Sequence, residues 1–234
     1  MCGIASFSEP SIKSVNANPI QPEEFVAAVQ PLLERKDLAG LLHLLKSRWK
    51  ADDIVALLKC RHCDARKVAA LALSLVGGPC CVPPLVEQLK DADRVVNEMA
   101  EHALWSIWVR SGSCEANCHI SKGAAALEAE DLAKAVHHFT KAIEADPKFA
   151  EAYSQRAIAH CLLEQWDRSM ADCQRTVELM PCHFNAWAGL GHCHAHEGRW
   201  KEALSCYQKA LSINPHIECL VEACDEIKKQ IESA

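Results

Sequence analysis

The chain has 234 residues, of which 50% are apolar, 24% are charged and only 6% are aromatic. This apolar content supports a folded core and excludes disorder of the whole chain, and the abundance of Ala and Leu favours helices over sheets. The net charge of −6 comes entirely from residues 111–234, where 12 basic side chains face 18 acidic ones, and this excess disfavours a nucleic-acid groove there.

The chain opens with MCGIASF, and removal of Met1 would leave Cys2 with a free α-amino group beside its thiol. Such a pair can act as base and nucleophile, and the stretch resembles the start of N-terminal-nucleophile glutamine amidotransferases. That resemblance implies a layered α/β domain with an oxyanion pocket. No Arg-Gly-rich or Asn-Gly segment follows, and the later sequence has helical patterns. We therefore predict no catalytic activity and no cofactor.

Residues 1–21 contain Ser, Asn and Pro in a pattern typical of a flexible arm. They lack the basic start and apolar middle of a secretory signal, and no long apolar run follows anywhere in the sequence. We therefore expect a cytoplasmic protein that does not enter a membrane.

The next segment, residues 22–110, consists of apolar helical patterns that repeat. EEFVAAVQPLLER predicts a first helix that Pro31 bends or interrupts. Further on, Ala69 and Ala100 occupy matching places in two later patterns, as do Leu73 and Leu104, and both pairs are 31 residues apart. This resembles the short HEAT-type repeat, which implies a stack of paired helices.

The motif CRHC places Cys60 and Cys63 two residues apart, with His62 between them. A structural zinc ion needs four ligands, and no second CxxC or HxxxH follows at a suitable distance. We interpret the motif as a turn between helices and the fourteen cysteines as small buried residues of a reduced protein. A metal- or thiol-dependent sensor or enzyme that uses Cys60 and Cys63 is the alternative.

Residues 115–234 contain a second repeat. Pro147, Pro181 and Pro215 are separated by 34 residues each. In the last unit, NAWAGLGHCHAHEGRWKEALSCYQKALSINP, small residues and aromatics stand at fixed positions. This period and spacing resemble the tetratricopeptide repeat, in which each unit is a helical hairpin. The resemblance implies repeats at about 116–149, 150–183 and 184–217, with a capping helix at 217–231.

In tetratricopeptide arrays the first helix of each hairpin lines the concave face. The resemblance places eleven side chains there as candidate partner-binding residues: Asn117, Ile120, Ala124, Leu127, Ser154, Ile158, Leu162, Asn185, Ala188, His192 and His196. The set is mostly small and apolar, and its two asparagines could hydrogen-bond a peptide backbone. His192 and His196 share one face of a helix, so a metal site there is a further form of the alternative.

Chaperone-adaptor members of this family hold a C-terminal carboxylate with Lys, Arg and Asn side chains. The matching positions here are Ile120, Ala124, Gln155, Asn185 and Gly189, and none of them is a cation. A carboxylate would lack charged partners, so we do not expect chaperone tails to bind.

Together these patterns predict an all-α protein of two abutting α-solenoids, HEAT-like hairpins followed by three tetratricopeptide hairpins and a capping helix. We expect a scaffold or adaptor that binds a peptide or partner helix in the concave groove, without catalysis, metal or nucleic acid.

Overall fold

The computed structural model describes residues 19–232. Within this range the chain forms thirteen α-helices and one 3-10 turn, with no strand, which confirms the predicted all-α solenoid. Cys2 and residues 1–18 of the predicted arm lie outside the described residues. The helices are α1 (Pro22–Glu34), α2 (Leu38–Arg48), α3 (Ala51–Leu57), α4 (Cys63–Val76), α5 (Val82–Gln88), α6 (Arg94–Arg110), α7 (Cys114–Glu128), α8 (Leu132–Ala145), α9 (Ala150–Leu162), α10 (Trp166–Leu179), α11 (Phe184–His196), α12 (Trp200–Ile213) and α13 (Glu218–Glu232).

Helix α1 begins the fold and buries Phe25 and Val29 against the N-terminal core. It continues through Pro31 to Glu34, so the predicted interruption is wrong. Because Pro31 lies one turn before the end of α1, the ring removes a single late hydrogen bond that the helix can lose.

None of the helices described for residues 19–232 has the length and apolar character to span a bilayer.

Helices α4 and α6 pack together at the centre of the N-terminal half. The alanine and leucine pairs 31 residues apart lie at this contact, and Ala69, Ala100, Leu73 and Leu104 are all fully buried. Alanine lets the two helix backbones approach closely, while leucine fills the space beyond. Asp93 caps α6 by accepting hydrogen bonds from the first backbone N–H groups of that helix.

Helices α7 to α12 form three consecutive hairpins, each held by contact between a small residue and an aromatic or polar one. A Cβ atom on Gly123 would lie 2.3 Å from Phe139 Cε1, and one on Gly191 would lie 2.2 Å from Tyr207 Cε1. Only glycine fits at these two positions. In the middle hairpin Cys173 stands at the position of Phe139 and Tyr207, and the nearby Ser169 Oγ donates to the Ala157 carbonyl at 2.9 Å.

The turn inside each hairpin contains one residue with left-handed backbone geometry. These residues are Glu130 with φ 58°, Glu164 with φ 57° and Gly198 with φ 73°, and they are spaced by 34 residues. Only the third turn has a glycine, the residue that adopts this geometry without a steric cost. The backbone turn therefore repeats with the same period as the prolines, although the residue type does not.

Helix α6 joins the N-terminal half to the hairpins. Trp108 stacks on His183 at a centroid distance of 4.4 Å and also contacts Phe184 at the start of α11. Glu101 Oε2 accepts a hydrogen bond from Asn214 Nδ2 at 3.1 Å, just before α13. One buried apolar cluster includes residues from α1 through α6 and from α11 to α13, so the N-terminal half and the C-terminal hairpins share a continuous core.

Two buried polar side chains lie beneath the α6 contact. His183 Nδ1 accepts from the Ala186 backbone N–H at 3.2 Å, which leaves the proton on Nε2 to be donated to Glu151 Oε2 at 3.0 Å. Glu151 also accepts from Gln155 Nε2 at 2.6 Å. The buried carboxylate is thus satisfied on both oxygens, and the ring that stacks on Trp108 is held in one orientation.

Candidate protein-binding groove

An apolar cavity of about 330 Å³ lies between α9, α11 and the start of α13, and Trp105 of α6 forms one wall. We call it the apolar cavity. Its floor is made of small side chains from α9 and α10, among them Ala157 and Cys173. The helical repeat of α9 places Ser154, Ile158 and Leu162 on one line along the cavity, four residues apart.

The structure brings together six of the eleven predicted partner-binding residues. All six line the apolar cavity, three from α9 and three from α11: Ser154, Ile158, Leu162, Asn185, Ala188 and His192. Ile158 and Leu162 are 42% and 59% exposed, which is unusual for large apolar side chains on a folded surface.

The other five predicted residues lie away from the apolar cavity. Asn117 donates from Nδ2 to the carbonyls of Arg110 and Gly112, at 3.2 and 2.9 Å, so it holds the turn between α6 and α7. Ile120 is only 2% exposed and belongs to the core of the first hairpin. Ala124 and Leu127 are half-buried on α7. The His196 ring stacks on the Trp166 ring with a centroid distance of 4.0 Å.

The sequence patterns did not identify Trp105, which lies on α6 in the N-terminal half of the chain. Its side chain is 37% exposed and also lines a second, more open cavity of about 710 Å³ along α6. We call this the α6 cavity, and its charged lining residues are Glu98, Glu101 and Arg110. One sequence feature could have identified it. On a helix, Trp105 lies on the face of α6 opposite the buried Ala100 and Ala103, so its side chain does not pack in the N-terminal core.

Arg110 lines the α6 cavity but forms no direct ion pair with its carboxylates. Its guanidinium donates to the Gly77 carbonyl at 3.1 Å and to the Ser74 carbonyl, at the end of α4. Glu98 accepts from Arg94 at 3.1 Å, but both side chains are exposed, so this pair is weak. The wall thus presents the exposed Glu98 carboxylate and that of Glu101, which also accepts a hydrogen bond from Asn214, with Arg94 and Arg110 as the basic side chains beside them.

Two thiols that line the apolar cavity, Cys161 and Cys173, are held in the protonated form by burial. Burial raises the pKa of Cys173 to about 12, and burial also raises the pKa of Cys161. A protonated thiol is a poor nucleophile and a poor metal ligand. These side chains serve the cavity as small apolar surface.

Each cysteine of the CRHC motif donates a hydrogen bond from its thiol to an oxygen atom. Cys60 Sγ donates to the His62 carbonyl at 3.3 Å, and Cys63 Sγ donates to Asp93 Oδ2 at 3.0 Å. The hydrogen bond to Asp93, followed by desolvation, raises the pKa of Cys63. His192 Nδ1 lies 2.7 Å from the Tyr207 hydroxyl. Across residues 19–232, no three His, Cys, Asp or Glu side chains are grouped so that they could hold a metal ion.

The fold is an α-solenoid of helical hairpins, and comparison with known families agrees. Residues 116–149, 138–171 and 184–217 each match a tetratricopeptide-repeat family model. The C-terminal half of the chain therefore contains tetratricopeptide repeats, as the 34-residue period predicts.

Several curated proteins are similar to this chain. Small glutamine-rich tetratricopeptide repeat-containing protein 2 of Mycosarcoma maydis is 31% identical over 114 residues, which are 49% of this chain and 32% of the relative. Hsp70-Hsp90 organizing protein 2 of Arabidopsis thaliana is 35% identical over 152 residues, 65% of this chain and 26% of the relative. The chain spans about a third or less of the length of these relatives.

A solved structure shares the fold of the C-terminal half. It is the first tetratricopeptide-repeat domain of Spaghetti (RPAP3) bound to the HSP90 peptide SRMEEVD, with a TM-score of 0.50 and 21% identity. The match covers 50% of this chain and 94% of that one. At this identity the likeness shows the fold alone.

Proposed function

We propose that this chain is a non-catalytic adaptor that binds a protein partner, as a peptide or a helix, in the concave groove of its tetratricopeptide repeats. The observation that carries the proposal is the apolar cavity, where Trp105, Ile158 and Leu162 expose large apolar surfaces side by side. Exposed apolar surface that lines a concave site is typical of protein-binding grooves. The similar curated proteins, among them an Hsp70-Hsp90 organizing protein, agree with an adaptor role.

For the N-terminal half of the chain, we propose that residues 22–110 form a HEAT-like array that serves as a scaffold. Its support is the burial of residues 31 apart at the contact between α4 and α6. Through α6, this array supplies Trp105 to the groove. The proposal includes a cytoplasmic location, which the thirteen free cysteines among the described residues favour because thiols stay reduced there.

A chaperone C-terminal tail is a poor fit to this groove. Of the five positions at which a carboxylate clamp is expected, Ile120 is buried and Gln155 is bonded to Glu151. The side chains that line the apolar cavity include no lysine or arginine. A carboxylate placed there would lose its hydration without gaining a charged partner.

The test compares two variants of the full chain that introduce the same charge. Leu162→Asp places a carboxylate in the groove, whereas Leu38→Asp does so on α2, where Leu38 has a similar exposure of 65%. Proteins captured from a cell extract are quantified for the wild type and both variants. We expect Leu162→Asp to lose the specific partners and Leu38→Asp to retain them. An unchanged set of partners for Leu162→Asp would contradict the proposed function.

A further inference from the structure

The polar groups of the groove are unsuited to an extended peptide. An extended chain needs side-chain partners for its backbone N–H and C=O groups. The amide hydrogens of Asn117 are used by the carbonyls of Arg110 and Gly112, and Gln155 donates to Glu151. Asn185 is the amide that lines the apolar cavity. An α-helix satisfies its own backbone hydrogen bonds and needs none of these groups.

The apolar cavity has the size and chemistry for one bulky anchor from such a helix. Its volume of about 330 Å³ is at the lower end of ligand pockets. Trp105 projects from α6 on one side, and Ile158 and Leu162 project from α9 on the other. Apolar anchors one helical turn apart on a partner would enter between these walls.

Charge determines the other face of the partner. Trp105 lines both cavities, so a helix anchored in the apolar cavity passes directly beside the α6 cavity. There Glu98 and Glu101 present carboxylates, while Arg110 is bonded to the carbonyls of α4. Glu218, which is also exposed, lies on α13 beside the cavity residue Cys219 and, like Glu98, is paired with the exposed Arg94, so three carboxylates share this wall with two arginines. Cationic side chains on the partner would complement this wall.

We propose that the groove binds an amphipathic helix of another protein, with bulky apolar anchors seated against Trp105, Ile158 and Leu162 and with Lys or Arg side chains facing Glu98 and Glu101. This inference rests on the proposed function and specifies the partner of the same groove. It makes Trp105, from the N-terminal array, a specificity-determining residue of the tetratricopeptide groove.

The probes are three fluorescently labelled synthetic peptides. Two are amphipathic helices of about five turns with the same leucine stripe, one with lysines and one with glutamates on its polar face. The third is the acidic peptide SRMEEVD that the similar solved domain binds. Binding to the full chain is measured by fluorescence anisotropy at low and at high salt.

Three variants locate the binding. We expect Trp105→Ala and Leu162→Asp each to weaken the lysine-faced helix by about tenfold or more, as for apolar anchors at an interface. Leu38→Asp, with similar exposure on α2, is the matched control and should bind like the wild type. Glu98→Gln should weaken the lysine-faced helix less and reduce its salt dependence, because it removes one carboxylate.

The outcomes separate the inference from the proposed function. Binding of the lysine-faced helix that exceeds both acidic probes and depends on Trp105 and Leu162 supports both. If SRMEEVD or the glutamate-faced helix binds as well and responds to Leu162→Asp, the groove is a binding site but the basic-helix inference is wrong. If no probe binds, or if Leu38→Asp has the same effect as Leu162→Asp, both proposals are overturned.

Discussion

The left-handed turns of the three hairpins give a quantitative prediction. Glu130 and Glu164 adopt φ near 58° with exposed side chains, whereas Gly198 at the third turn adopts φ 73°. A non-glycine residue in this region is strained by about 1–2 kcal/mol, and glycine has an entropic cost of about 0.5–1 kcal/mol relative to alanine. Glu130→Gly and Glu164→Gly should therefore each raise the free energy of unfolding by about 0.5–1 kcal/mol, and Gly198→Ala should lower it by about 1 kcal/mol.

Thermal unfolding followed by circular dichroism at 222 nm measures these changes. For a chain of this size, 1 kcal/mol shifts the Tm by about 2–4 °C. Ala125→Gly is the control, because Ala125 is exposed in the last turn of α7 and glycine there should lower stability by up to about 1 kcal/mol. If Glu130→Gly and Glu164→Gly lower the Tm as Ala125→Gly does, the turns are not left-handed and this reasoning is refuted.

Three further predictions concern packing and protonation. Trp108→Ala should lower the free energy of unfolding by about 3–5 kcal/mol, because Trp108 is buried against His183 and Phe184. Trp105→Ala should lower it far less. Urea unfolding measures both changes, and equal losses would contradict the role of α6 in joining the two halves of the chain. Gly191→Ala should lower the Tm by several degrees because of the contact with Tyr207, while Gly78→Ala, with no atom within 4 Å, should have little effect; similar values would contradict the close approach. Burial lowers the pKa of His138 and His160 in the folded chain, so the unfolded chain binds protons at a higher pH than the folded chain does. Stability should therefore fall as the pH drops from about 7 to 5. A His138→Gln/His160→Gln variant should flatten this pH dependence, and an unchanged slope of stability against pH would contradict the prediction.

Local sequence patterns predicted the elements of the fold. The spacing of Pro147, Pro181 and Pro215 predicted the three hairpins, because each unit packs on its immediate neighbours and its pattern is therefore local. The 31-residue spacing marked Ala69 and Ala100 as equivalent positions, and both are fully buried in the structure. The sequence did not decide whether Pro31 bends or interrupts α1, because the effect of a proline depends on its distance from the helix end, and the structure excludes the interruption.

The groove was only partly predictable. The tetratricopeptide resemblance placed Ile158 and Leu162 on the concave face, and both side chains are exposed in the structure. Periodicity did not reveal that Asn117 would be used by the α6–α7 turn, since those hydrogen bonds depend on how the two arrays join. The place of Trp105 depends on the contact of α6 with α11, between residues about 75 positions apart such as Trp108 and His183. Such contacts leave no periodic signal in one sequence.

Hydrogen–deuterium exchange of the full chain, with and without the lysine-faced helix, tests the groove most directly. With the peptide bound, we expect slower amide exchange in residues 154–162 of α9 and 185–192 of α11, where the apolar anchors of the helix would bind. We also expect it along the exposed face of α6 near Trp105. Protection confined to the outer helices α8, α10 and α12, with α6, α9 and α11 unchanged, would contradict it.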